Sequence, residues 1–141
     1  IHTKSLTSFP SNMKTKSLII IPTYNEKENV ERMIDTIVSL AKEFDVLFVD
    51  DNSPDGTADL IEKAIKKNPE RIFIEKRTGK LGLGTAYIHG FKWSMDRNYD
   101  FVFEMDCDFS HDPEDLLRLR KELEKGCDLV IGSRYCRGGK V

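Results

Sequence analysis

The chain offers little that would anchor it in a membrane, cross-link it, or give it a surface of one sign. Its longest apolar runs are of strand length, as in Ser17 to Pro22 and Phe101 to Phe103, too short to cross a bilayer as a helix. No apolar segment near the start resembles a secretory signal. Cysteine is scarce. Cys107, Cys127 and Cys136 are odd in number and lack metal-ligand spacing, so they read as reduced thiols of a cytoplasmic protein. The net charge is only −2, from 22 basic and 24 acidic residues, which leaves no basic footprint for nucleic acid. Internal repeats and low-complexity tracts are absent. Two phosphate-binding signatures are missing as well. Gly82-x-Gly84-x-x-Tyr87 lacks the third glycine of a dinucleotide fingerprint and follows the third predicted strand, and no Gly-Lys-Ser/Thr loop occurs.

What the chain does contain is a regular alternation of strand and helix patterns. Its 141 residues suit one domain. Residues 1–12 are polar and aperiodic and are expected to be a disordered leader or tag, with the domain running over 13–141. Strands are expected at Ser17–Pro22, Val46–Val49, Arg71–Glu75, the run from Phe101, and Leu129–Ile131. Helices between them turn inward Val30, Met33, Ile34, Ile37, Ala41 and Phe44, then Leu60, Ile61, Ala64 and Ile65. A third helix is expected to bury Tyr87, Ile88, Phe91 and Met95, and a fourth Leu116, Leu119 and Leu123. Asn25 or Thr23 is the expected cap of the first helix, and Asp112 with Pro113 opens the fourth. Such alternation predicts an α/β fold, a mainly parallel sheet with helices on both faces. Right-handed crossovers then bring every strand's carboxyl end to one rim. Asp50, Asp51, Asp106 and Asp108 share that rim with Tyr24, Glu26 and Arg134, where open α/β sheets bind ligands.

Asp106 and Asp108 lie one residue apart, where a strand stops. Like charges about 4 Å apart repel by roughly 4 kcal/mol at an effective dielectric near 20. A divalent cation resolves the conflict. Hard oxygen ligands suit Mg²⁺ or Mn²⁺, and such sites commonly share the ion with a substrate phosphate. Gly82 and Gly84 would let backbone approach a ligand, with Arg77 and Lys80 supplying positive charge. Asp106-x-Asp108-x-Ser110 also resembles the aspartyl-phosphate signature of haloacid-dehalogenase-type phosphatases. That motif ends a first strand, however, and this one ends the fourth. The acids of a phosphorylatable receiver domain are misplaced in the same way.

Five segments together resemble family 2 glycosyltransferases. They are Ile-Pro-Thr-Tyr-Asn-Glu, Val-Asp-Asp-Asn-Ser-Pro-Asp-Gly-Thr, Gly-Leu-Gly-Thr-Ala-Tyr-Ile-His-Gly-Phe, Met-Asp-Cys-Asp-Phe-Ser-His-Asp-Pro and Ile-Gly-Ser-Arg-Tyr. The glycine-rich loop and the Ser-Arg-Tyr followed by Gly-Gly narrow the resemblance to the dolichol-phosphate (polyprenol-phosphate) mannosyltransferase branch. It spans Ser17 to Val141. The resemblance implies an A-type glycosyltransferase (Rossmann-like) fold and inverting transfer of mannose from GDP-mannose to a dolichyl or polyprenyl phosphate, with Mg²⁺ or Mn²⁺. By motif position Pro22, Tyr24 and Glu26 would hold the guanosine, and Val49 and Asp51 would continue that pocket. Asp106 and Asp108 would carry the metal on the diphosphate, with Cys107 contributing backbone. Ser110 stands where some members place a glutamine ligand and is the candidate third one. Asp108 and Arg134 are the residues expected to act in transfer, Arg134 on the acceptor phosphate. The resemblance further implies peripheral contact at the cytoplasmic face of a membrane and an acceptor-side segment after Val141. Two alternatives remain at this stage: transfer from another nucleotide sugar such as UDP-glucose, or a catalytically silent nucleotide-sugar-binding module.

Overall fold

The computed structural model describes residues 16–40, 42–79 and 81–125. Four strands, β1 (Ser17–Thr23), β2 (Phe44–Asp50), β3 (Ile72–Lys76) and β4 (Phe101–Glu104), alternate with α1 (Lys27–Val38), α2 (Thr57–Lys67), α3 (Leu83–Met95) and α4 (Asp115–Glu124). The strands form one parallel sheet in the order β3-β2-β1-β4. β1 and β2 are buried on both faces, which is why their sequences read as unbroken apolar runs. The expected fifth strand, Leu129–Ile131, lies outside the described residues, as do residues 1–15.

The two faces are covered unequally. Ile19, Ile21, Val46, Phe48, Phe101 and Phe103 face α1, α2 and α4, which contribute Val30, Met33, Ile37, Ile61, Leu116 and Leu123 to the larger core. Among the described residues, Leu18, Ile20, Leu47 and Val49 face α3 alone. That helix approaches closely because its buried positions are Ala86, Gly90 and Ser94. A Cβ added at Gly90 would stand 2.6 Å from Ile20 Cγ2, a separation that real side chains do not tolerate. Tyr87, Phe91 and Trp93 flank this contact.

Two expected helix faces are corrected. Ile88 and Met95 are exposed, at 55% and 80%, because α3 turns its small residues to the sheet. Phe44 belongs to the start of β2 and not to α1, which ends at Val38. Ala41 is outside the described residues. Leu116, Leu119 and Leu123 are buried as expected, and the Asp112 carboxylate accepts from the Glu114 N–H at 3.0 Å just before α4.

Pro22 sits in a strand flanked on both sides, a position that normally excludes proline. β4 pairs with β1 from Ser17↔Phe101 as far as Ile20↔Glu104, and the Ile20 carbonyl accepts from Met105 N at 3.1 Å. Pro22, two residues on, turns its N–H-less edge toward the same side, where β4 has already left the sheet. The strands therefore part just beyond Ile20. The sheet order reverses at this point, since β2 lies on one side of β1 and β4 on the other, so a crevice opens at a topological switch point.

Candidate functional site at the strand termini

Three loops at the carboxyl rim each contain one non-glycine residue in the left-handed region: Asn25 (φ 54°), Asn52 (φ 55°) and Phe109 (φ 62°). Such conformations cost on the order of 1–3 kcal/mol and persist where surroundings impose them. Here the imposing contacts are visible. Ser53 Oγ accepts from Asn25 N, Thr57 Oγ1 from Glu26 N, and Asp55 Oδ2 from Lys27 N, at 3.0, 3.0 and 3.1 Å. The β2–α2 loop thus satisfies the orphan donors that open α1, a service expected from Asn25 or Thr23. Arg32 lies over the Phe109 ring, 3.9 Å from its centroid.

The loops enclose a cleft of about 290 Å³ lined by Pro22, Tyr24, Glu26, Asp51, Asp106, Cys107 and Asp108, with Thr23, Gly82, Leu83 and Ala86 completing it. Seven residues singled out by the sequence are therefore brought together. Val49 is not among them: it is fully buried beneath, in the core under α3. Asp50 is also withdrawn from the expected acidic cluster. It is 1% exposed and accepts from Thr23 Oγ1, Ser53 N and Ser53 Oγ at 2.7, 3.0 and 2.7 Å. Its role is to hold the β1 and β2 ends together.

Asp51 lines the cleft but already has a partner. Arg77 grips it with a two-pronged contact, Nε to Oδ1 at 2.6 Å and Nη2 to Oδ2 at 2.7 Å. Arg77 also donates to Thr85 Oγ1 at 2.9 Å and to the Gly82 carbonyl at 3.2 Å. The expectation that Arg77 is a cation held ready for a ligand is corrected, since its side chain is 7% exposed and neutralises Asp51. Lys80 and Arg134 lie outside the described residues.

Asp106 and Asp108 are supported differently. Asp106 Oδ1 accepts from the Tyr87 hydroxyl at 3.0 Å. Burial, followed by the charge of Asp106, pushes that hydroxyl well above the usual tyrosine range, so it remains a proton donor. Asp108 is exposed and its Oδ1 accepts from Ser110 N at 3.0 Å. Hydrogen bonding from Ser110 holds the Asp108 carboxyl below the usual range, which keeps it ionised. Ser110 itself is exposed and does not line the cleft. Between the two acids, Cys107 is buried and its thiol is pushed up to about 12, by burial first and then by Glu26, Asp108 and Asp106. At that value the thiol stays protonated at neutral pH.

Among the described residues the lining of the cleft contains four carboxylates, Glu26, Asp51, Asp106 and Asp108, and no basic side chain. Among the described residues no three His, Cys, Asp or Glu side chains converge to hold a metal unaided. A cation held by Asp106 and Asp108 would therefore share its coordination with ligand or water oxygens, as Mg²⁺ commonly does. Sequence reasoning missed Tyr87 and Thr85. The only signal for either was a position inside the glycine-rich segment.

Comparison with known proteins bears on the family and the fold. The chain is 45% identical over 126 residues to a polyprenol monophosphomannose synthase of Mycolicibacterium smegmatis, an alignment covering 89% of this chain and 48% of that protein. It is 48% identical over 124 residues to an undecaprenyl-phosphate mannosyltransferase of Micrococcus luteus, covering 88% and 50%. It is 38% identical over 128 residues to a dolichol-phosphate mannosyltransferase of Pyrococcus furiosus, covering 89% and 35%. The chain thus spans half the length, or less, of these curated relatives. A mannosyltransferase of Pyrobaculum calidifontis, solved with GDP-Man and Mn²⁺, superposes with a TM-score of 0.53 at 23% identity, over 58% of this chain and 25% of that one. That likeness establishes the A-type glycosyltransferase fold. Residues 18–141 match the family described as glycosyl transferase family 2, and the chain belongs to it.

Proposed function

We propose that this protein transfers mannose from GDP-mannose to a polyprenyl or dolichyl phosphate, with inversion at the sugar carbon and with Mg²⁺ or Mn²⁺ bound by Asp106 and Asp108. The observation that carries the reading is the charge of the cleft. Among the described residues its lining has four carboxylates and no basic side chain, and Arg77 is paired with Asp51. A diphosphate approaching these four carboxylates is repelled by them unless a cation comes with it. The names of the three curated relatives supply the lipid-phosphate acceptor and mannose, and the Pyrobaculum enzyme was solved with GDP-Man and Mn²⁺.

A bound divalent cation would neutralise the charge that builds on the departing diphosphate, an effect worth several kcal/mol. The chain's own residues do the rest. Asp106 and Asp108 hold the cation, Asp108 remaining ionised through Ser110. Pro22, Tyr24 and Glu26, which line the same cleft together with Asp51, receive the nucleoside. The acceptor phosphate is ionised at neutral pH. Its oxygen bonds to the sugar carbon as the bond from that carbon to GDP breaks, and no proton need be removed by the protein. Arg134 offers a planar fork suited to the acceptor phosphate. Ser110 supports Asp108 through its N–H, at 3.0 Å from Oδ1. The site belongs at the cytoplasmic face of a membrane, where the acceptor lipid is embedded. No helix among the described residues is long and apolar enough to cross that membrane.

The test is a panel of sugar nucleotides offered to the full-length protein with a short polyprenyl phosphate, with and without Mn²⁺. Turnover of GDP-mannose that stops on chelation is the expected result. Turnover of a UDP-sugar instead would transfer the reading to another donor. Metal-dependent binding without turnover would identify a silent binding module.

A further inference from the structure

The segment from Arg77 to Tyr87 crosses from the end of β3 to the first turn of α3, and it touches acids of two strands that are not neighbours. At one end Arg77 holds both oxygens of Asp51, beyond β2. In the middle Arg77 reaches Thr85 Oγ1 and the Gly82 carbonyl. Thr85 Oγ1 in turn donates toward the carbonyls of Leu81 and Gly82, both at 2.8 Å. At the other end, about half a helical turn beyond Thr85, the Tyr87 hydroxyl donates to Asp106 Oδ1 at 3.0 Å, beyond β4. Gly82, at φ 97°, allows the sharp entry into the helix. Tyr87 and Arg77 are not part of the cleft lining, so both act through the carboxylates they touch.

We propose that Tyr87 is a positioning residue for Asp106, and that Arg77 anchors the turn carrying Tyr87, so that this segment sets the geometry of the metal-binding carboxylate. The proposal rests on the reading of the site given above. A carboxylate free to rotate presents either oxygen to a cation. A donor fixed on Oδ1 restricts that rotation and would favour Oδ2 as the oxygen offered to a cation. Outer partners of this kind commonly contribute about 10–100-fold in metal affinity. The ring of Tyr87 packs against the core formed by Leu18, Ile20, Leu47 and Val49, so phenylalanine can keep the packing while losing the donor.

The experiment measures Mn²⁺ affinity by electron paramagnetic resonance in the full-length protein with GDP, for wild type, Tyr87→Phe and Arg77→Lys. Tyr87→Phe is expected to bind Mn²⁺ about 10–100-fold more weakly with an unchanged melting temperature, and excess Mn²⁺ is expected to restore turnover. Arg77→Lys is expected to weaken Mn²⁺ binding in the same direction by a smaller factor, although that side chain touches no metal-binding carboxylate. Unchanged Mn²⁺ affinity in a folded Tyr87→Phe protein, beside a wild type that binds the ion, overturns the proposal. A wild type that binds GDP without Mn²⁺ overturns the reading of the site beneath it.

Discussion

β2 and β4 both run into aspartates at the same rim of the sheet, and the two pairs have opposite fates. At the end of β2, Asp50 is buried and accepts three hydrogen bonds from Thr23 and Ser53, while Asp51 is matched by Arg77. At the end of β4, Asp106 has one tyrosine hydroxyl and Asp108 one backbone N–H. The first pair is completed by the protein, and the second keeps coordinating capacity for something else. The difference comes from what packs beside each strand. β2 is interior, with β1 and β3 on its flanks, whereas β4 leaves β1 after Ile20 and carries its acids into the crevice. A carboxylate enclosed by donors is a structural part, and one at an open strand end keeps oxygens available for a ligand.

Substitutions can break this contrast. The largest effect is expected from Asp108→Asn. Metal-dependent GDP binding should fall by more than the roughly 10–100-fold that loss of an outer partner costs, with the melting temperature nearly unchanged, because the residue is exposed and asparagine can still accept from Ser110. Calorimetric titration with GDP and Mn²⁺, beside a thermal melt, checks both halves. Loss of cooperative unfolding in that variant would make Asp108 structural. Asp50→Ala should do the reverse. It strands the donors of Thr23 and Ser53 and is expected to destabilise the fold by about 3 kcal/mol, read from urea unfolding. GDP affinity per folded molecule should change much less.

A third acid sharpens the contrast by its pH dependence. Asp45, at the opposite end of β2, is buried at 4% exposure and accepts from the Tyr99 hydroxyl at 2.8 Å. Burial raises its carboxyl above the ordinary range, with Tyr99, Lys16 and Arg71 pulling the other way. A raised folded-state value means that the charged carboxylate costs stability. That cost is present in full above the folded value and disappears as the pH falls to the unfolded one. Asp45→Asn should therefore be modestly more stable than wild type at neutral pH. The gap should close on acidification, as melts at successive pH values would show.

Much of this was legible from the residues. The unbroken apolar runs of β1 and β2 gave a parallel sheet, and turn chemistry after each strand located the rim. The motifs placed Pro22, Tyr24, Glu26, Asp51, Asp106, Cys107 and Asp108 on one cleft. Pairing across the fold was not legible. Nothing local says that Asp50 will find Thr23, 27 residues away, or that Arg77 will close on Asp51 instead of facing a ligand. The face of α3 was misread for a related reason. Apolar residues at helical spacing suggested Ile88 and Met95 as core, yet close packing on Ile20 requires small residues, so Gly90 and Ala86 are turned inward. Val49 was assigned to the pocket by motif alignment, and only the packing under α3 shows it enclosed.

The most direct measurement is anomalous diffraction from crystals of the full-length protein grown with GDP and Mn²⁺. The account predicts a single manganese peak between the Asp106 and Asp108 carboxylates, in contact with the diphosphate and with Asp106 Oδ1 still held by Tyr87. Manganese bound elsewhere, or GDP seated in the cleft with both carboxylates turned away from any ion, would contradict it.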